Sequence, residues 1–223
     1  IGIINMENLV VDESVNLPSI NGFHFGEAFS AIVEAPLYFE ESSRAKALGE
    51  KWFGLGRKVT DFVCVDLDYG IGAGFIFDRR LYKGAGRYAG EIGHVKIVNN
   101  GRECRCGAKG CLEAYISERV ILKKKKKATG RDYKNFTEIQ EITPAVEEII
   151  RQSSIHLGSG LSILIDILNP TTIILNGDLI RFEDIVIPEV VRIIKKNVLK
   201  ELFQNVEIVG SAKKETTILG ELI

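Results

Sequence analysis

Three of the chain's four cysteines, Cys104, Cys106 and Cys111, share one glycine-rich run, and His94, one of three histidines, stands just upstream. Cys-x-Cys-x4-Cys beside a histidine is a zinc donor set, since zinc takes thiolate and imidazole in a closed tetrahedron at structural sites. Gly101, Gly107 and Gly110 let a short loop fold its sulfurs onto one point, because glycine tolerates positive φ. One disulfide with a spare thiol is the competing reading, but cysteines are few and no secretory signal is visible. A catalytic zinc keeps one position open to water, whereas four protein ligands fill the shell, so a structural ion is expected. Glu91 lies three residues before His94, and Glu113 two after Cys111. A metal held here would fix a stretch carrying two acidic hydrogen-bonding groups, a wall for a polyhydroxylated ligand. Cys64, in the apolar run DFVCVDL, reads as a buried strand residue. His24 and His156 have no metal-ligand neighbours in sequence and read as ordinary surface or core histidines.

Short β-branched or aromatic runs bounded by Gly, Pro, Asp or Asn predict strands at residues 1–4, 37–39, 61–67, 73–77, 172–175 and 206–209. Helical periodicity predicts helices over 43–53, 112–128, 144–168 and 185–203. Thr143 before Pro144 suits an N-cap followed by proline at the first helical position. Gly130 suits a helix C-terminus, and Pro170 stops the long helix. The run VDLDYGIGAGFIFDRRLYKG predicts a hairpin with a glycine-rich first turn. The later order of helix, strand, helix, strand is a βαβ pattern, and the whole is mixed α/β. The five lysines Lys123 to Lys127 read as a solvated helix end, with a nucleic-acid patch as the lesser alternative.

The chain has 223 residues, enough for one large domain or two small ones. A net charge of −1 gives no overall pull toward nucleic acid. No apolar run approaches the roughly 20 residues of a membrane span. Few cysteines, three of them metal-like, point to a reducing cytoplasm. Residue 1 is Ile, and Ile1-Gly2-Ile3-Ile4 reads as a strand already under way, so part of the natural chain is expected upstream.

Gly90-Glu91-Ile92-Gly93-His94, followed by Cys104-Arg105-Cys106-Gly107-Ala108-Lys109-Gly110-Cys111-Leu112-Glu113, resembles the signature of the ROK family. That family groups bacterial repressors with sugar kinases, and the resemblance extends over nearly the whole chain. It implies an actin-like (ribonuclease H-like) α/β fold, two lobes with a ligand cleft between them. Residues 1–42 would be what remains of the N-terminal lobe. Residues 43–223 would form the C-terminal lobe with its zinc loop at 94–111, the last residues being candidates to return to the first lobe. The first phosphate loop, and the winged helix-turn-helix of family repressors, would lie upstream. By the same resemblance His94 binds zinc through one ring nitrogen and faces a sugar with the other. Glu91 and Glu113 accept from sugar hydroxyls, work that suits ionised, acceptor-only oxygens.

The departures from the family pattern fall elsewhere. Ser42 stands where kinases of the family keep the Asp that takes the sugar's proton, and serine is no carboxylate base. Glu41 and Arg44 replace asparagines at contact positions. The second phosphate loop keeps Gly70, Gly72 and Gly74 but reads Asp68-Tyr69-Gly70, placing bulk and negative charge where phosphate would approach. The adenosine-side Gly-Gly is Asn176-Gly177. These changes argue against ATP and against catalysis. The reading that follows is a sugar-responsive, ROK-type transcriptional regulator. It would take a monosaccharide or derivative as effector, hold structural zinc, meet DNA through an upstream segment and assemble as a dimer or tetramer. An ATP-dependent sugar kinase of the glucose or N-acetylglucosamine type is the alternative, and a purely structural zinc domain the third.

Overall fold

The chain's structure is a computed structural model that describes residues 3–5, 8–14, 17–35 and 39–211. Two strands, β1 (Ile3–Asn5) and β2 (Val10–Glu13), pair antiparallel, and Val10 also bridges to His24. Helices α1 (Phe25–Ser30) and α2 (Ser42–Phe53) follow. The main sheet contains β3 (Phe62–Leu67), β4 (Ile71–Phe77), β5 (Arg80–Tyr82), β6 (Thr172–Asn176) and β7 (Glu207–Ser211). Its order is β5-β4-β3-β6-β7. The β3–β4–β5 part is an antiparallel meander, and β6 and β7 join in parallel. The remaining helices are α3 (Glu113–Ile116), α4 (Glu118–Thr129), α5 (Pro144–Leu168), α6 (Glu183–Asn197) and α7 (Lys200–Phe203).

Successive strand side chains point to opposite faces, so β3 feeds two cores. Val63, Val65 and Leu67 join the larger core with Leu157, Leu161 and Ile165 of α5 and Val190 and Ile194 of α6. Phe62 and Cys64 face the other way and meet Ala47 of α2, Ile76 and Ile174. Cys64 is thus the buried strand residue the sequence suggested. Helix α2 can lie this close because of two glycines on β4. A Cβ on Gly72 would fall 2.2 Å from Ser43 Oγ, and one on Gly74 would fall 2.4 Å from Ala47 Cβ. Their glycine character therefore has a packing cause.

Helix α5 matches its expected span, capped by Thr143 Oγ1, which accepts from the Val146 N–H, with Pro144 at its first turn. Asn169, in the left-handed region, closes it one residue before Pro170. Gly130 ends α4 at φ 72° as expected. Other boundaries differ. The helix expected over 112–128 is broken at Ser117, where the Glu118 N–H leaves the helix ladder for the Asp68 carbonyl at 3.2 Å. The helix expected over 185–203 breaks after Asn197, where Val198 turns extended and buries its side chain in the core. Strand β2 was not anticipated. Of the strand expected at 37–39, residues 37 and 38 lie outside the described residues, as do residues 1 and 2 of the first. The lysine run is not uniformly solvated: Lys125 is buried with its ammonium 2.9 Å from the Tyr133 ring centroid. Burial also pulls Lys124 down to about 8, and its ammonium donates to the Tyr115 carbonyl. No helix among the described residues is long and apolar enough to cross a membrane.

Candidate metal centre and ligand wall

The loop between β5 and α3 folds on itself through isolated pairings of Lys96 with Cys111 and Glu103 with Lys109. The Cys104 N–H donates to the Ala108 carbonyl at 2.8 Å, and the Gly107 N–H to the Cys104 carbonyl at 3.0 Å. Gly110 sits at φ 80°, where a Cβ would collide with the Val98 carbonyl, so only glycine turns the chain here. These turns gather the four expected ligands. One ligand atom from each of His94, Cys104, Cys106 and Cys111 lies within 4.8 Å of every other.

The distances test the fit to zinc. Zn–S bonds of about 2.3 Å in a tetrahedron set sulfurs about 3.8 Å apart. Cys106 Sγ and Cys111 Sγ are separated by 3.7 Å, and Cys104 Sγ stands 3.8 Å from His94 Nδ1. Lys96 Nζ donates to Cys111 Sγ at 2.7 Å, placing a positive charge against a set that would carry a net negative one. Burial first, then crowding by the other two sulfurs, pushes the Cys104 thiol up to about 12. Three ionised sulfurs at this spacing therefore require a cation. Donor set, spacing and counter-charge fit a structural zinc site with no open position.

The residues expected to form a ligand wall are Glu91, His94 and Glu113. Glu91 begins the 3-10 turn Ile92–His94. With Nδ1 of His94 on the thiol side, its Nε2 faces Glu91 Oε2 at 3.9 Å. Partial burial, then the charges of Glu41 and Glu113, push the Glu91 carboxyl up against the pull of His94 and Arg44. Glu91 thus lies within reach of the charges of both Glu41 and Glu113. Glu113 opens α3; its Oε2 lies 3.4 Å from the Ile71 N–H, and its Oε1 lies 3.7 Å from Arg105 Nη2.

The three departures near α2 have defined places. Glu41 caps the helix, accepting from the Arg44 N–H and from the hydroxyls of Ser42 and Ser43. Ser42 is exposed at the first turn and holds only that bond to Glu41 among the described residues. Arg44 is buried, and its hydrogen bonds go to Glu40 and to the backbone at residues 87 and 89. Its Nε donates to Glu40 at 2.6 Å, and its Nη1 to the Arg87 carbonyl at 2.8 Å. It braces the loop that leads to Glu91.

The sequence reading missed a buried charge cluster in the region resembling the second phosphate loop. Asp66 and Asp68 continue the Phe62, Cys64 alternation toward α2, and Lys46 of α2 reaches both. Its Nζ donates to Asp66 Oδ1 and Asp68 Oδ2 at 2.6 Å each. The Lys46 and Asp66 side chains are only 8% exposed, and Asp68 is 38% exposed. The other Asp68 oxygen accepts from the Asp178 N–H at 2.6 Å, directly after Gly177. Burial pushes Asp66 up to about 7 against the pull of Lys46. Burial alone would raise Asp68 as well, but Lys46 and the Asp178 N–H outweigh it and hold that carboxyl low. Nearby, fully buried Glu50 accepts from the Asn176 amide at 3.0 Å and the Ser211 hydroxyl at 2.5 Å, tying α2 to β6 and β7. The signal was present in the sequence: two aspartates in an apolar strand run, and one lysine between two alanines. His24 is exposed near Glu27, and half-buried His156 packs on Tyr115, so neither is a ligand.

Comparison with known proteins places this architecture. The ROK family model matches residues 1–222, and the chain belongs to the ROK family. A xylose repressor of Caldicellulosiruptor bescii is 33% identical over 202 residues, covering 83% of this chain and 51% of the relative. The chain thus spans about half the length of the curated relatives it matches. Among solved structures, a ROK family transcriptional regulator described as a homologue of the Escherichia coli Mlc protein superposes with a TM-score of 0.82 at 26% identity. That match covers 98% of this chain and 59% of the other. A ROK glucokinase of Streptomyces griseus, in complex with glucose and AMPPNP, gives 0.85 at 22% identity, covering 98% and 77%. The latter likeness is one of fold. The expected α/β fold is the one found.

Proposed function

We propose that this chain is the effector-binding part of a sugar-responsive transcriptional regulator and that it does not phosphorylate its ligand. One contrast carries the reading. Glu91, His94 and Glu113, the residues this reading assigns to the ligand wall, are all kept near a metal-ready cluster, while the nucleotide side is satisfied from within. Asp68 places a carboxylate against the Asp178 N–H, and Lys46 neutralises it. An anionic phosphate entering there meets an anion already bonded, in a setting of low dielectric. Gly72 and Gly74, the strongest feature in favour of the kinase reading, have their own cause in the packing of α2. Ser42 cannot supply the base.

In this account zinc, held by His94, Cys104, Cys106 and Cys111, fixes the wall and does no chemistry of its own. Glu91 and Glu113 accept from hydroxyls of a monosaccharide, and His94 Nε2 completes the same edge. The named repressor relative supports a transcriptional role, with DNA met through a segment outside this chain. A dimer or tetramer would suit a palindromic operator. Effector binding acts only through different affinity for two arrangements of the whole protein. A coupled ADP-release assay on full-length protein across hexoses, pentoses and amino sugars tests the silent chemistry. The expected result is no turnover above background, and sustained turnover with any sugar would return the kinase reading.

A further inference from the structure

Arg105 sits between two metal ligands, so the zinc loop fixes its backbone, and its guanidinium is only partly used. Nη1 donates to the Tyr69 hydroxyl at 3.1 Å, and the guanidinium stacks 4.9 Å from the Tyr69 ring centroid. Nε and Nη2 are buried with no hydrogen-bond partner among the described residues. Nη2 lies 3.7 Å from Glu113 Oε1, near enough for attraction but beyond a hydrogen bond. Nε and Nη2 form one of the two edges through which a guanidinium grips a pair of oxygens. Leaving both donors buried and unmade is unfavourable, so this edge calls for a partner that the described residues do not supply.

Apart from the single N–H of His94 Nε2, the proposed wall lacks what Arg105 offers. Glu91 and Glu113 are acceptors only, so each sugar hydroxyl that donates to them keeps lone pairs in need of donors. Glu91 already feels the negative charges of both Glu41 and Glu113. An anionic group on the ligand would add a fourth negative charge. We infer that the Nε–Nη2 edge of Arg105 is a specificity-determining element of the effector site, donating to two neighbouring hydroxyl oxygens of a neutral sugar. This rests on the effector reading above and names the half of the recognition that the glutamates cannot provide. It also gives Tyr69 a purpose. The residue that spoils the phosphate loop is the one that holds the arginine in place.

The test is a cycle between protein and ligand. Full-length, zinc-loaded wild type and Arg105→Met are titrated calorimetrically with D-glucose, D-xylose and N-acetyl-D-glucosamine, and with the mono-deoxy derivatives of those that bind. Arg105→Lys, which keeps the charge but not the fork, is the second variant. Zinc content is measured for each. Removing the hydroxyl that Arg105 contacts should weaken binding to wild type tenfold or more, and to Arg105→Met by less than threefold. Arg105→Lys should behave like Arg105→Met. Deoxy losses of equal size in wild type and both variants would overturn the inference. So would glucuronate or glucose 6-phosphate binding wild type tenfold tighter than glucose. If no sugar binds wild type at all, the effector reading itself fails. If a sugar binds and Arg105 makes no difference, only this inference fails.

Discussion

The zinc loop and the turn at residues 68–70 meet at Glu113 and Tyr69, yet they have been furnished in opposite ways. Around the loop, polar groups keep hydrogen-bonding capacity that the described residues do not use up: two glutamates, an imidazole nitrogen and one buried edge of an arginine. Around the turn, polar groups answer one another. Lys46 takes both aspartates, Asp68 takes the Asp178 N–H, and Glu50 takes Asn176 and Ser211. Open, preorganised groups recognise a ligand at low ordering cost, whereas closed networks hold a fold together. On the proposed reading, the same family scaffold carries a recognition surface on one side and a structural plug on the other.

The contrast can be broken first at the metal. Cys106→Ser should lose zinc, from about one ion per chain to none, and lower the unfolding midpoint by about 10 °C or more, since each kcal/mol is about 2–4 °C at this size. Atomic absorption with a thermal scan checks both. The plug comes next. Lys46→Ala leaves two carboxylates facing each other, a loss of about 3 kcal/mol in urea unfolding. Replacing Asp66 and Asp68 by Thr and Gly in the same variant should recover most of it.

Asp66 adds a pH signature to that plug. Its folded pKa of about 7 exceeds the ordinary 3.8, so the native state holds an extra proton between those values. The stability it contributes is complete below about pH 4 and is lost as pH rises through 7. Denaturation midpoints measured from pH 4 to 8 should fall for wild type and stay flatter for Asp66→Asn.

On the open side, Glu113→Ala should weaken effector binding about 10- to 100-fold, the loss of one charge-assisted hydrogen bond. Glu91→Ala should act in the same direction, read by calorimetry. The smallest effect expected is that of Ser42→Asp. Restoring the base alone should give no measurable sugar phosphorylation, because the nucleotide side stays closed.

What the sequence disclosed follows the same division. The His/Cys cluster was legible because its geometry is local: three cysteines within eight positions need only one glycine-rich turn to converge. The hairpin, the βαβ order and α5 were legible for the same reason, with period, cap and stop signals all nearby. The plug was not, since Lys46 lies 20 and 22 residues from its partners and meets them only once α2 packs on β3. The break at Ser117 depends on a carbonyl 50 residues earlier, and the inward turn of Arg44 depends on the loop at residues 87–89. Helical periodicity contains none of this. The edge of Arg105 that has no partner among the described residues was likewise invisible, because such a gap shows only once the surrounding groups are placed in three dimensions.

The most direct test of the account is a paired calorimetric titration of full-length, zinc-loaded protein. One arm uses a panel of neutral monosaccharides and the other Mg-ATP, each with wild type and Glu113→Ala. The account predicts that at least one sugar binds wild type and is weakened by the substitution, while Mg-ATP gives no binding heat in either protein. Saturable Mg-ATP binding to wild type, with sugar affinity indifferent to Glu113, would contradict it.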